Sequence, residues 1–346
     1  MRLEQLTFTR FLAAISIVFF HYSQTLYPFN QEVLKFLISQ ANIGVSYFFI
    51  LSGFVMLIAY HSQAKLSPTA YYLNRFARIY PVYLIGLIAI WLNEHQWYSV
   101  SCSIVHLTML QSFFPEWVLN FSLPNWSVSV EIFFYALFPL FFNLVYRKRH
   151  LWKRAGIGIL IFWILSQIIF HYLLGLRVEN GDNLNFESFL FYSPFLHLNE
   201  FLMGNLTAMI FIQNYQTATR NYSWFLGLLM VLMVITLKYN RVFNFHNGLF
   251  AVFFVPFILA LSLNKGRLND WLNKPVLVYL GDISYSLYIY QYPVFYYSRG
   301  LTTGWPTLDF LLKFVVLILV SSLSYSNVET PLRKRIKAWG NHKERI

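Results

Sequence analysis

Two ionisable side chains, Arg10 and His21, stand within residues 7–27, a stretch that otherwise carries no charge. Charged or titratable groups inside a membrane-length apolar run are costly, so each asks for a functional explanation. They are 11 residues apart. On an α-helix that spacing is about 1100°, three turns plus roughly 20°, with about 16 Å of rise, so both lie on one face at different depths. Such a stripe offers a guanidinium, which donates to anions, and a neutral imidazole, the form a general base requires. The alternative is that Arg10 snorkels to headgroups while His21 hydrogen-bonds a neighbouring helix.

Three more ionisable residues extend the candidate set. Arg75 and Arg78 are three apart, hence on one helical face, just before Pro81. Planar guanidinium forks suit phosphate, although a positive-inside topology alone would also put arginines there. Glu131 follows Trp126-Ser127-Val128-Ser129 at the start of an apolar run and is expected at its outer end. There it either orients His21 or binds acceptor hydroxyls, or it is a helix-start carboxylate facing water. Glu200 and Asp282 read as structural acids. The remaining histidines, His197 and His246 among them, show no paired helical spacing with carboxylates that would argue for a metal site. A surplus of tyrosines at positions 285–297, with Trp97, Trp117 and Trp126, reads as an interfacial belt. The sharper alternative is a sugar-stacking platform, best for Trp126 with Ser127 beside it.

The elements that must position these groups are membrane helices. Of 346 residues, 57% are hydrophobic, 20% aromatic and only 12% charged, which excludes ordinary soluble domains. Apolar segments of spanning length fall near 7–27, 43–60, 79–92, 128–146, 155–174, 194–213, 222–237, 249–263, 276–296 and 308–328. Continuous runs of this kind are helices and not the short alternating strands of a barrel, so the expected fold is an all-α polytopic bundle of about ten spans. No positively charged leader precedes the first run, which therefore reads as a retained helix. The spans leave too little chain for a separate soluble domain, so residues 1–346 read as one membrane domain. The lone Cys102 excludes an internal disulfide and a thiolate metal cluster.

Orientation follows from the basic residues. With the N-terminus in the cytoplasm, nineteen of the 26 Lys and Arg, including Arg2, Arg75, Arg78 and Arg345, fall on the cytoplasmic side. Six, including Arg241, fall opposite, and Arg10 lies inside the first span. The bias supports both termini inside and explains the net charge of +12 as topological, with some attraction for anionic lipid, and not as a nucleic-acid surface. No matched, broken helices in the two halves point to an inverted-repeat transporter.

The chain also resembles the acyltransferase 3 family of membrane acyltransferases. The resemblance rests on Arg10-(x)10-His21; Gly44-Val45 with Phe48-Phe49-Ile50-Leu51-Ser52-Gly53-Phe54; Arg75-Phe76-Ala77-Arg78-Ile79-Tyr80-Pro81; and Asn125-Trp126-Ser127-Val128-Ser129-Val130-Glu131. It continues through Phe201-Leu202-Met203-Gly204, Leu280-Gly281-Asp282-Ile283-Ser284-Tyr285 and Glu329-Thr330-Pro331-Leu332-Arg333. Seven motifs in the family's order cover essentially the whole chain. The resemblance implies transfer of an acyl group, usually acetyl from cytoplasmic acetyl-CoA, to a hydroxyl of a cell-surface or lipid-linked glycan at a bacterial inner membrane, with no metal. His21 would then be the general base with Glu131 assisting, Arg10, Arg75 and Arg78 would hold the CoA phosphates, and Trp126 and Ser127 would meet the acceptor. Two departures stand out: Ile132 where the family often has a second acid, and Gln291 near Pro293 where it commonly has His. The competing class is a polytopic transporter or flippase for a lipid-linked glycan.

Overall fold

The computed structural model describes residues 3–180, 183–217, 220–240 and 242–343, so Arg2, Arg241 and Arg345 of the charge count lie outside the described residues. The fold is all-α, with no strand among the described residues. In chain order the helices are α1 (Thr7–Tyr22), α2 (Glu32–Ile38), α3 (Ile43–Tyr60), α4 (Pro68–Glu94), α5 (Val100–Leu107), α6 (Trp126–Phe141), α7 (Trp152–Asn180) and α8 (Leu184–Tyr192). They continue as α9 (Pro194–Asn214), α10 (Ser223–Tyr239), α11 (Ala251–Leu263), α12 (Arg267–Leu272), α13 (Pro275–Asp282), α14 (Ser284–Tyr297), α15 (Pro306–Ser324) and α16 (Thr330–Lys343).

Each apolar segment expected to span is helical over most of its length, the first ending at Tyr22 and not at 27, because lipid supplies no partner for backbone N–H and C=O groups and the helix satisfies them internally. Among the described residues, six helical segments are long and apolar enough to cross a membrane, and α10 and α11 are shorter apolar helices. The protein is thus a multi-pass membrane protein. Two further elements differ from expectation. The third span begins at Pro68, not 79, because proline suits the first helical turn; it thereby takes Arg75 and Arg78 into the helix. The ninth span is two helices, α13 and α14, parted at Ile283.

The chain gathers into two compact units, Met1–Gln63 with Val145–Asn183 and Phe195–Asp282, and Ala64–Leu144 with Leu184–Pro194 and Ile283–Ile346. In the first, α1 packs on α3 and α13, and α3 on α11. Glycines set the closest approaches. A Cβ on Gly53 of α3 would sit 2.0 Å from the Phe201 carbonyl oxygen, and one on Gly204 of α9 would sit 1.9 Å from that of Ile50. Only glycine permits backbones to meet so closely. Gly281 does the same against α1, where a Cβ would lie 2.0 Å from the Thr7 oxygen.

In the second unit α4 packs on α6, α14 and α16, and α14 on α15. The register of α4 against the α6 segment is fixed by two contacts. The Leu66 amide donates to Asn143 Oδ1 at 3.1 Å, and the Tyr72 hydroxyl donates to the Ala136 carbonyl at 3.0 Å.

Candidate functional site

Helix α1 runs unbroken through both of its ionisable residues, so the single-face spacing of Arg10 and His21 is realised on one rod. Both side chains are half-buried. The Arg10 end is a polar cluster: Thr9 Oγ1 donates to the Leu6 carbonyl at 2.7 Å and meets the Tyr47 hydroxyl at 2.5 Å, and the Arg10 charge reaches that hydroxyl. His21 sits in the last turn with Phe20 and Tyr22 rings 5.2 and 6.0 Å away, and makes no hydrogen bond to any described residue. A half-buried imidazole with no internal partner has both ring nitrogens available for chemistry, unlike a histidine recruited to tie helices together.

In the second unit Arg75 and Arg78 lie one turn apart on α4, both half-buried. The Arg75 guanidinium stands over two tyrosine rings, 5.9 Å from the centre of Tyr71 and 5.7 Å from that of Tyr135. The Tyr135 hydroxyl in turn donates to Glu131 Oε1, one turn earlier on α6. Glu131 is therefore not an outer-end carboxylate. Continuing the antiparallel register set by Leu66–Asn143 and Tyr72–Ala136 along α6 brings it level with Arg78, well inside the span. The sequence misled because the apolar run starts close to Glu131, whereas the helix and the turn before it start at Leu123. Helix α16 adds cations that the motif reading passed over as topological charge. Lys337 lies within electrostatic reach of Arg75, Arg78 and Arg333, and Arg333 Nη1 is 3.9 Å from Glu329 Oε1.

The two residues expected to meet an acceptor are corrected by their surroundings. Trp126 is 5% exposed and its ring packs 5.0 Å from that of Tyr192, so its faces are not a free stacking platform. Ser127 is buried, with its hydroxyl 2.6 Å from that of Tyr288 and 3.1 Å from the Pro124 carbonyl. Both residues build the entry to α6 in place of lining its approach. Tyr285, Tyr288 and Tyr290 likewise spend their hydroxyls internally, on Ile79 O, Pro124 O and Ser324 Oγ. Gln291 is fully buried; its Nε2 donates to the Tyr288 carbonyl at 2.8 Å and its Oε1 has no hydrogen-bond partner among the described residues.

The sequence profile described as an acyltransferase domain matches residues 3–326. The chain belongs to this acyltransferase family. It is 29% identical to acyltransferase MdmB of Streptomyces mycarofaciens, over 95% of the chain and 91% of that relative. It is 22% identical to O-acetyltransferase OatA of Staphylococcus aureus over 94% of the chain. A putative O-acetyltransferase of the same species is 24% identical over 86% of the chain. The chain spans 56% and 53% of the latter two, about half the length of each. No solved structure matches it.

One cluster of this acyltransferase escaped the motif reading. On α9, His197 and Glu200 are both fully buried, and the imidazole Nδ1 lies 2.7 Å from Glu200 Oε2. The other carboxylate oxygen accepts from Ser46 Oγ, which also lies 3.0 Å from the His246 carbonyl. Asn42 Nδ2 lies 3.2 Å from His246 Nδ1, and the centres of the two imidazole rings are 5.4 Å apart. A signal was present: His-x-x-Glu is an i,i+3 pair. Both oxygens of the buried Glu200 carboxylate are thereby partnered, as a buried charge requires.

Proposed function

We propose that this acyltransferase moves an acyl group, most simply acetyl, from cytoplasmic acyl-CoA to a hydroxyl of a cell-surface or lipid-linked glycan at a bacterial inner membrane. The observation that carries the reading is Arg10 and His21 on one uninterrupted helix of a multi-pass member of an acyltransferase family, with His21 half-buried and making no internal hydrogen bond. The names of two relatives, both O-acetyltransferases, support oxygen as the accepting atom and acetyl as the group.

In this reading neutral His21 takes the proton of the acceptor hydroxyl as its oxygen attacks the thioester carbonyl. The tetrahedral intermediate collapses, the C–S bond breaks, and the imidazolium returns the proton to the departing thiolate, giving an ester and free CoA with no net proton change. Arg10 in the first unit, and Arg75 and Arg78 in the second, are the candidates to meet donor phosphates, because their forks match phosphate oxygens. Glu131 holds Tyr135 beneath Arg75, which makes it a positioning residue for the donor. Trp126 and Ser127 shape the start of α6 and act on the acceptor only through it.

Purified protein supplied with acetyl-CoA and a glycan acceptor tests the reading. Acceptor-dependent release of free CoA is expected, and His21→Ala should abolish it while the variant still reaches the membrane. A His21→Ala protein that keeps its rate removes the base role, and absent CoA release favours a transporter.

A further inference from the structure

A cavity of about 370 Å³ opens in the first unit, between the end of α3, the turn preceding α7 and the end of α9. None of the residues assigned to donor or acceptor lines it. Its apolar wall is Ile58, Phe211 and Ile212, and its polar wall includes Arg149, Gln213 and Gln216, with no carboxylate. Arg149 makes no ion pair with any described residue. Its guanidinium instead lies 5.6 Å from the centre of the Trp152 ring, an arrangement that holds the cation while leaving N–H edges to donate. The carboxamides of Gln213 and Gln216 make no hydrogen bond to any described residue. Tyr215 completes the lining, and the Lys265 ammonium lies 5.5 Å from its ring centre, adding a second positive charge beside the cavity. His61 donates Nδ1–H to the Ile58 carbonyl at 2.8 Å, so only Nε2 faces any ligand.

This lining selects for charge and size together. Cations and neutral donors without a carboxylate favour an anion with several oxygen acceptors, which is phosphate chemistry. Ligand pockets run from roughly 300 to 1,000 Å³, so 370 Å³ admits a phosphodiester with a small polar substituent but not a whole nucleotide-pantetheine donor. The apolar wall lies at the ends of two membrane helices, where a headgroup passes into its acyl chains. We propose that the cavity binds the phosphodiester headgroup of an anionic phospholipid, with Arg149 as the main phosphate donor and Gln213, Gln216 and Tyr215 meeting its hydroxyls. Acyl-CoA carries the same phosphate chemistry, so the source has to be separated by experiment.

Native mass spectrometry of the full chain with phosphatidylglycerol and phosphatidylcholine of equal acyl chains decides it. The expected result is preferential retention of phosphatidylglycerol, weakened about ten-fold (1.4 kcal/mol) in Arg149→Gln and largely restored in Arg149→Lys, with phosphatidylcholine unaffected. Equal retention of the two lipids by the unmodified protein, or undiminished phosphatidylglycerol retention in Arg149→Gln, overturns the site. CoA affinity measured on the same variants should not change; a loss matching that for lipid overturns the lipid assignment in favour of donor phosphate. The His21→Ala protein should keep its lipid preference, so the site stands or falls independently of acyl transfer.

Discussion

The guanidinium of Arg75 lies 5.7 Å from the centre of the Tyr135 ring, and the far edge of that ring is tied by its hydroxyl to Glu131. A cation on α4 is thus held in place by a ring on α6, and the ring by a carboxylate one turn away. The arrangement holds the cation from two sides of one ring contact, which suits the donor-phosphate role proposed for it.

Tyr135→Phe keeps the ring under Arg75 and removes only the bond to Glu131. Losing one hydrogen bond of about 1 kcal/mol should raise KM for acyl-CoA roughly five-fold while kcat changes less, and Glu131→Gln should move KM in the same direction. Steady-state kinetics over a range of donor concentrations reads the split. A fall in kcat at constant KM would place the pair at the reacting atoms instead.

Arg75→Lys retains the charge but loses the planar fork, so donor binding should weaken about ten-fold (1.4 kcal/mol) with turnover preserved at saturating donor. Arg10→Ala, by contrast, should leave no measurable transfer. Calorimetric titration with CoA alongside rate measurements distinguishes the two effects.

Gly53→Ala and Gly204→Ala would each push a methyl into an opposing backbone carbonyl, at 2.0 and 1.9 Å. Backbones cannot yield as flexible side chains do, so each should cost about 3 kcal/mol or more and yield little folded protein. Gly158→Ala on α7 is the control, because nothing lies within 4 Å of its added methyl. It should leave the melting midpoint unchanged or raise it, alanine being the better helix former by up to about 1 kcal/mol.

His106, at the end of α5 and outside the spanning segments, is fully buried with Nε2–H donating to the Trp117 carbonyl at 3.0 Å. Burial pushes its pKa down from the usual 6.5 to about 4. A histidine held neutral by folding adds stability that is complete above pH 6.5 and is lost as the pH falls from there through 4. The loss should total roughly 3 kcal/mol. Melting midpoints between pH 7 and 4 should show this acid limb, and His106→Gln should flatten it.

How much of this was legible beforehand differs by kind of signal. Apolar run length located the helices because a bilayer leaves no other economical way to satisfy the backbone, and the 11-residue spacing of Arg10 and His21 needed only the helical period. Boundaries were less visible. The polar start of α4 hid how far the helix extends ahead of Arg75 and Arg78, and the weakly apolar turn before α6 hid the depth of Glu131. Contacts between distant segments were beyond periodicity altogether: nothing in the sequence pairs Ser46 with Glu200, or turns Ser127 toward Tyr288 and away from an acceptor. Trp126 was misassigned because an aromatic near a helix start looks the same whether it faces a sugar or Tyr192.

The reciprocal glycine contact between α3 and α9 has a mechanical consequence. Two rods whose main chains touch at mutual notches can neither slide along one another nor roll without collision, so this pair behaves as a rivet. Within this unit the two helices therefore form one fixed frame, and any rearrangement there is left to rotamers and loops around it.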